Sequence, residues 1–506
     1  MKKYIIIRFL VLITLSVSTL GCYDDLLDQK PRSTVTSQLF WSDYKDADAA
    51  VNGLYSLLRK SLQGMDKDDV ATATRAGSWG DYLVYGDLRS GDWITPNDDN
   101  DWKNLMQNNL RAFPALRDLQ NWRFYYRVIE QCNQIITYVP GIPSERISED
   151  QVNEAVAQAL AVRSFMYLYV TRIWGDVPIN TTVENVTPLA RAPKKEVWQL
   201  AINDLLKAIP DLPVEYETNG IKDRVKTRTR FSKGAAYATL AHLYMWNEEY
   251  QKAYDIITQL QELNIYRILD VSQYRTVFDQ GLSDEGILEI YYSIENGEWV
   301  EYFGTALTWF FIKPFTSRDR ISITMKKSKI EQLYSSKDKR IKEFFMGIDL
   351  TNPKNPVIVD NPLALDEDNI IIAKYRKDPN EYYQFDNNVM IFRYAGLLLL
   401  KAEACAQIDK PDEAIGLLNQ IRKRAGLDDY SGPNTRQELI DEILEERRRE
   451  LVAESHRFYD LLRHGRLHEF TPYISASDEA NGAGCWPVND EAFRNNPNME
   501  QNNYWK

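Results

Sequence analysis

Two stretches of this sequence gather tryptophan in a setting that neither helical nor strand periodicity accounts for. Residues 77–105, GSWGDYLVYGDLRSGDWITPNDDNDWKNL, hold Trp79, Trp93 and Trp102 among Gly, Asn and Asp. Residues 295–311, ENGEWVEYFGTALTWFF, hold Trp299, Tyr302 and Trp309 in similar company. A flat indole packs against the CH-rich face of a sugar ring while neighbouring Asn, Asp and Arg bond its hydroxyls. The composition is that of a glycan platform, with Arg89 and Asn97 as hydrogen-bonding partners. The competing reading of any one of these tryptophans is a plug that seals a loop onto the scaffold. Trp486, in the C-terminal loop, is the next candidate should these be misplaced.

Other constellations carry less. Glu445, Glu446, Glu450 and Glu454 alternate with Arg447, Arg448, Arg449 and Arg457, and could pass for paired catalytic carboxylates. Their spacing of three and four residues makes them helix-surface neighbours, so ion pairs that lock one helix pair to the next are the favoured reading. His464 and His468 stand four apart, a spacing that can hold zinc, but Gly465 lies between them and no HExxH pattern or cysteine pair completes a site. There is no GxSxG elbow, P-loop or dinucleotide fingerprint. The residues therefore point to no catalytic group, no metal and no cofactor.

The elements that must position the loops are helical. FSKGAAYATLAHLYMWNEEYQKAYDIITQLQEL (231–263) reads as two helices with a turn at Asn247 to Glu249. Ala241, Tyr244, Tyr250 and Ala253 fall at tetratricopeptide spacing. Ala402 and Ala414, in NVMIFRYAGLLLLKAEACAQIDKPDEAIGLLNQIRKRAGL, repeat the separation of Ala241 and Ala253. Two further pairs are expected, VNEAVAQALAVRSFMYLYVTRIWGDVPI with KKEVWQLAINDLLKAIPDLP, and RQELIDEILEERRRELVAES with HRFYDLLRHGRLHEF. The expected fold is mainly α, a tetratricopeptide-like scaffold of about four helix pairs with large irregular insertions forming a ligand-binding face.

No Pro/Gly/Ser linker divides the chain, so residues 22–506 are expected to form one large domain. Its parts are N-terminal helices and binding loops about 40–140, helix pairs about 150–263, an irregular insertion about 264–385, helix pairs about 386–470 and a tail from 471 to 506. Cys132 and Cys405 fall within helical patterns and read as buried small hydrophobes.

Residues 1–21 have the order of a secretory signal peptide: Lys2, Lys3 and Arg8, then an apolar run from Phe9 to Leu20. At ~1.5 Å per residue that run reaches roughly 18 Å, short of the ~30 Å bilayer core. Removing it takes away three positive charges and moves the net charge from −12 to −15, which argues against nucleic acid as a partner. Gly21-Cys22 resembles a bacterial lipobox, in which the cysteine carries a lipid, although Thr19 stands where Leu is usual. The alternative is a plain signal peptide that ends near a cysteine. Asp24 and Asp25 just beyond resemble the surface-export tag of Bacteroidetes lipoproteins.

Four motifs then occur in one order: AVRSFMYLYVTRIWGDVP (161–178), FRYAGLLLLKAEA (392–404), LLNQIRKRAGL (417–427) and ERRRELVAESHRFYDLLRHG (446–465). With them the chain resembles the SusD/RagB family of Bacteroidetes surface nutrient-binding lipoproteins, departing at Gly396, where an acidic residue is common. The resemblance implies a cell-surface, lipid-anchored outer-membrane protein. It would capture oligosaccharides and deliver them to a SusC-like TonB-dependent transporter without breaking a bond. It also implies that the ligand site is built from aromatics of the two tryptophan-rich stretches. A RagB-like peptide-binding protein of a peptide uptake system is the alternative, and a surface glycosidase using two carboxylates is a more distant one.

Overall fold

The computed structural model describes residues 40–63, 81–95, 100–111, 116–117, 119–183, 187–274, 276–292, 323–349, 351, 357–359, 361–366, 369–375, 387–494 and 496–506. The fold is mainly helical and built on a tetratricopeptide-like scaffold. Helices α1 (Tyr44–Gln63), α2 (Arg123–Tyr138), α3 (Glu149–Trp174) and α4 (Lys194–Ala208) pack in an antiparallel succession in which α3 touches the other three. Every residue of α3 from Ala157 to Trp174 is buried, because the helix is enclosed by neighbours rather than lying on a surface. A capping box starts it, with Ser148 Oγ accepting from the Gln151 amide at 3.3 Å and Gln151 Oε1 from the Ser148 amide at 3.0 Å.

Helices α5 (Lys233–Trp246) and α6 (Tyr250–Glu262) form the first of the two expected alanine-spaced pairs, and α7 (Tyr394–Gln407) and α8 (Pro411–Arg424) form the second. Ala241, Ala253, Ala402 and Ala414 are all fully buried, since only small residues let the paired backbones approach closely. The two turns are built alike. Glu248 and Asp409 take positive φ (62° and 58°), and the next amide closes the turn on the helix, Glu249 to Tyr244 O and Lys410 to Cys405 O, each at 2.8 Å. Although far apart in sequence, the pairs stand side by side, with α6 packed on α7 and Lys401 Nζ bonding Gln261 Oε1 at 2.6 Å.

The last expected pair departs from its sequence reading. Helix α9 (Arg436–Glu450) stops before the LVAES stretch, which forms a turn with positive φ at Ala453 and Ser455 (both 62°). Helix α10 (Arg457–Arg463) is only seven residues long, and Gly465 at φ 63° separates it from a further turn of helix at Leu467–Phe470. Polar demand explains the early stop, because the turn delivers Glu454 and Ser455 to buried partners described below. The insertion expected to be irregular carries strand Gly286–Ile290, which pairs antiparallel with Val389–Arg393, and a three-stranded sheet in the order Val357–Val359, Phe345–Asp349, Ile370–Ile372. A main core runs through the molecule, and a second cluster, including Leu398, Cys405, Leu418 and Ile443, joins α7, α8 and α9. Cys132, Cys405 and Cys485 are free thiols.

Candidate functional site

Trp93 and Ile94, from the first tryptophan-rich stretch, form a two-residue antiparallel ladder with Met325 and Thr324, which follow the second stretch in the sequence. In this register the chain leaving after Thr95 and the chain arriving at Ile323 lie at the same end of the ladder. The first stretch is thus joined to the segment that follows the second, while residues 295–311 themselves lie outside the described residues. Trp79, Asn97, Trp299, Tyr302 and Trp309 lie outside the described residues, as do Cys22, Asp24 and Asp25.

Residues 81–95 of the first stretch form a floor, and it is pinned to the C-terminal turn. Asp87 Oδ2 accepts from the Ser455 amide at 2.8 Å and Ser455 Oγ donates to Tyr82 O at 2.6 Å. Arg448 Nε bonds Asp92 Oδ2 at 2.8 Å within a buried ion pair. Gly91 takes φ 85°, and a Cβ there would sit 2.1 Å from Phe470 O, so no other residue fits between the floor and that carbonyl.

Arg89, Trp93 and Trp102, the three expected ligand contacts within the described residues, are 1%, 6% and 3% exposed. Burial corrects the expectation that they present their side chains to a ligand. The Arg89 guanidinium stacks 4.7 Å over the Phe458 ring and donates to Gly484 O at 3.1 Å, Ala483 O at 2.8 Å and Asn108 Oδ1 at 2.5 Å. Burial without a carboxylate partner pulls its pKa down to about 10. Arg89 thus clamps the C-terminal loop 483–486 to the floor. Trp93 and Trp102 belong to the main core. Trp486, the reserve candidate, is 1% exposed and packs edge-on against Tyr85 at 5.0 Å. Composition alone did not separate these plugs from ligand-facing rings, since both sit among Gly and Asp.

The four glutamates of the EERRRELVAES stretch are committed to cations. Arg340 Nη1 bonds Glu446 Oε1 at 2.7 Å and Glu450 Oε2 at 3.1 Å. Arg393 Nε bonds Glu454 Oε2 and its Nη1 bonds Glu285 Oε1, both at 2.6 Å. Arg424 reaches Glu285 Oε2 at 2.9 Å and Glu450 Oε1 at 2.5 Å, and Glu445 accepts from Arg448 at 3.0 Å and Arg457 at 2.9 Å. Burial alone would raise the Glu450 pKa, yet Arg424, Arg393 and Arg340 outweigh it and hold the group far below the usual carboxylate range. Lys374 Nζ closes the network on Glu450 O at 2.9 Å, Val452 O at 3.1 Å and the Glu454 carboxylate, and burial brings its pKa down to about 8. These charges fix the 451–455 turn on which the floor rests. The two histidines are separately engaged, His464 with Glu403 at 2.9 Å and His468 with Glu479 at 2.7 Å.

Two family models match this architecture. The model described as the SusD family covers residues 367–505, and one described as starch-binding associating with outer membrane covers residues 92–245. Over these two segments the chain is similar to the SusD/RagB family. It is similar to SusD-like protein P38 of Formosa agariphila, with 28% identity over 99% of each chain. It is also similar to SusD-like protein P25 of that organism, with 25% identity over 91% of this chain and 90% of the relative. Among solved structures, a SusD superfamily protein from Bacteroides thetaiotaomicron superposes with a TM-score of 0.75 at 25% identity, covering 92% of this chain and 99% of that one. A SusD-like carbohydrate binding protein from Bacteroides vulgatus superposes with a TM-score of 0.65 at 20% identity over 84% of both chains. The match over 92–245 begins at Asp92 and the match over 367–505 spans the 451–457 turn, so the Asp92–Arg448 pair lies within matched residues while Tyr82, Asp87 and Arg89 precede them.

Proposed function

We propose that this protein is a cell-surface lipoprotein that binds oligosaccharides and passes them, uncut, to a SusC-like TonB-dependent transporter of the outer membrane. The observation that supports the reading is the Trp93–Met325 ladder, which joins the first tryptophan-rich stretch to the segment that follows the second. A platform built out from this ladder would hold its aromatic rings at little entropic cost on binding. The family description of starch binding at the outer membrane and the carbohydrate-binding relative support a sugar as cargo. Cys22 would carry the lipid, Asp24 and Asp25 would direct the chain outward, and Trp79, Asn97, Trp299, Tyr302 and Trp309 would meet the ligand, with Arg89, Trp93 and Trp102 holding the floor. Carboxylates clamped by arginines are poor acids and bases, so the ERRRELVAES stretch would serve structure and not hydrolysis.

Calorimetric titration with a panel of neutral and acidic oligosaccharides tests this. Binding that is lost in Trp299→Ala or Trp309→Ala without a change in melting temperature is expected. A panel with no glycan binder but saturable peptide binding would replace sugar by peptide as the cargo. Release of reducing ends in proportion to protein would overturn the non-catalytic reading.

A further inference from the structure

We propose that a second site, a cleft between the hairpin Glu217–Lys222, the short helix Arg224–Thr229 and the segment 264–267, binds a small oxyanion: a sulfate, phosphate or carboxylate group. The cleft measures about 450 Å³, within the range of small-ligand pockets. Four cations line it, Lys222, Arg224, Arg228 and Arg267, against two carboxylates, Glu215 and Asp284. Lys222 is neutralised by Glu215, whereas Arg224 and Arg267 share the single carboxylate of Asp284, at 2.5 and 2.8 Å. Among the residues that line the cleft two positive charges remain over, in a chain whose net charge is −12.

The decisive residue is Arg228. It is 4% exposed and its guanidinium carbon lies 4.5 Å over the Tyr266 ring. Nη2 donates to Ile265 O at 3.1 Å, but Nε and Nη1 meet no carboxylate or carbonyl among the described residues, and the Tyr266 hydroxyl beside the guanidinium is shared with Ser232. A buried guanidinium with unused donors is expensive, and the arginines of the central network meet it with carboxylates. Here no carboxylate among the described residues bonds the guanidinium: buried Glu289, which feels the Arg228 charge, is held instead by the Leu282 amide and Asn388. An oxyanion seated against Arg228 and between Arg224 and Arg267 supplies the missing acceptor and cancels the surplus charge.

The walls are prepared in advance. The Arg267 amide bonds Asp284 O at 3.1 Å, and Arg267 Nε bonds the Asp284 side chain at 2.8 Å. Asp284 is followed directly by Glu285, which grips Arg393 and Arg424, so the buried network braces the carboxylate that spaces the two outer arginines. Their side chains are 55% and 70% exposed, which leaves further guanidinium donors facing solvent.

The test uses the full chain in detergent, titrated with sodium sulfate and with sodium phosphate against sodium chloride at matched ionic strength, followed by calorimetry and thermal unfolding. Saturable binding and a rise in melting temperature with sulfate or phosphate, and neither with chloride, are expected. Arg224→Gln and Arg267→Gln alter exposed side chains and should each weaken binding roughly tenfold, the loss of one charge-assisted hydrogen bond. Arg228→Met should abolish binding while leaving the anion-free melting temperature equal to or above that of the parent. Glucose 6-sulfate and glucuronate, set against glucose, separate the sources. Sugar anions binding more tightly than the inorganic ions would place the acidic group on a saccharide, and equal binding would mean that the cleft reads the anion alone. Responses to sulfate, phosphate and the sugar anions that all match chloride, or binding that persists in Arg228→Met, would overturn the proposal. It does not rest on the glycan platform, since anion binding measured in Trp299→Ala would stand whether or not that variant binds neutral sugar.

Discussion

Trp102→Ala separates a floor plug from a ligand contact. Trp102 is 3% exposed on the helix Asn100–Met106 and packs in the main core, so truncation removes nearly the whole indole from an enclosed site. An indole buries about 150–250 Å², which at ~25 cal/mol/Å² is worth ~4–6 kcal/mol before any relaxation. Alanine keeps a buried Cβ and the surroundings relax in part, which brings the expectation to ~3–5 kcal/mol. Urea unfolding monitored by far-UV circular dichroism should show the midpoint falling by that amount with little change in slope. Glycan affinity measured on the folded variant well below its midpoint should stay within about twofold, against the ~1–3 kcal/mol expected for a stacking ring, by analogy with aromatic stacking on bases. An unchanged unfolding midpoint together with lost binding would refute the reasoning and return Trp102 to the ligand face.

Four further outcomes follow from the same geometry. Asp92→Asn should cost ~3–5 kcal/mol by leaving Arg448 buried beside half its partners, and Asp92→Leu with Arg448→Met should restore most of it in the same urea assay. Asp87 has its pKa raised from 3.8 to about 7 by burial, partly offset by the Ser455 and Arg457 amides, so the native state holds a proton that the unfolded chain releases. Its contribution to stability is full below pH ~4 and is lost as pH rises through ~7, about 4 kcal/mol in all; Asp87→Asn should lack that loss, and parallel stability profiles for parent and variant would refute it. His456 is depressed from 6.5 to about 3 by burial and by Arg447, so stability should fall as pH drops from ~6.5 toward ~3, and its ring proton should show no NMR titration between pH 8 and 5. Cys22→Ala should move the protein from the membrane to the soluble fraction in cells lacking the transporter; retention in the membrane would refute the lipid anchor.

The scaffold was legible because its signals are local. Alanine at the touching positions of α5–α6 and α7–α8, and the turn residues between them, are written in short windows, and the structure returns them with matching turn geometry. The end of α9 was not legible. Nothing in LVAES forbids helix, and Ala453 favours it; the helix stops because Glu454 and Ser455 have buried partners, Arg393, Lys374 and Asp87, that lie 61, 80 and 368 residues away. The same limit governs the floor. A tryptophan followed by polar residues reads alike whether it faces a ligand or a core, and only the ladder to Met325, from the other half of the chain, distinguishes the cases at Trp93. Arg89 shows how far this goes: as a cation among Gly and Asp it suggested a hydroxyl partner, yet its acceptors are carbonyls 394 and 395 residues away. The cleft around Arg228 had no sequence signal either, because RVKTRTR is an ordinary basic stretch until Tyr266 and Asp284 close on it. In this protein the long-range polar contacts decide which side chains remain for a ligand, so the functional surface is what is left after the buried donors and acceptors have found one another, and Arg228 marks a place where they have not.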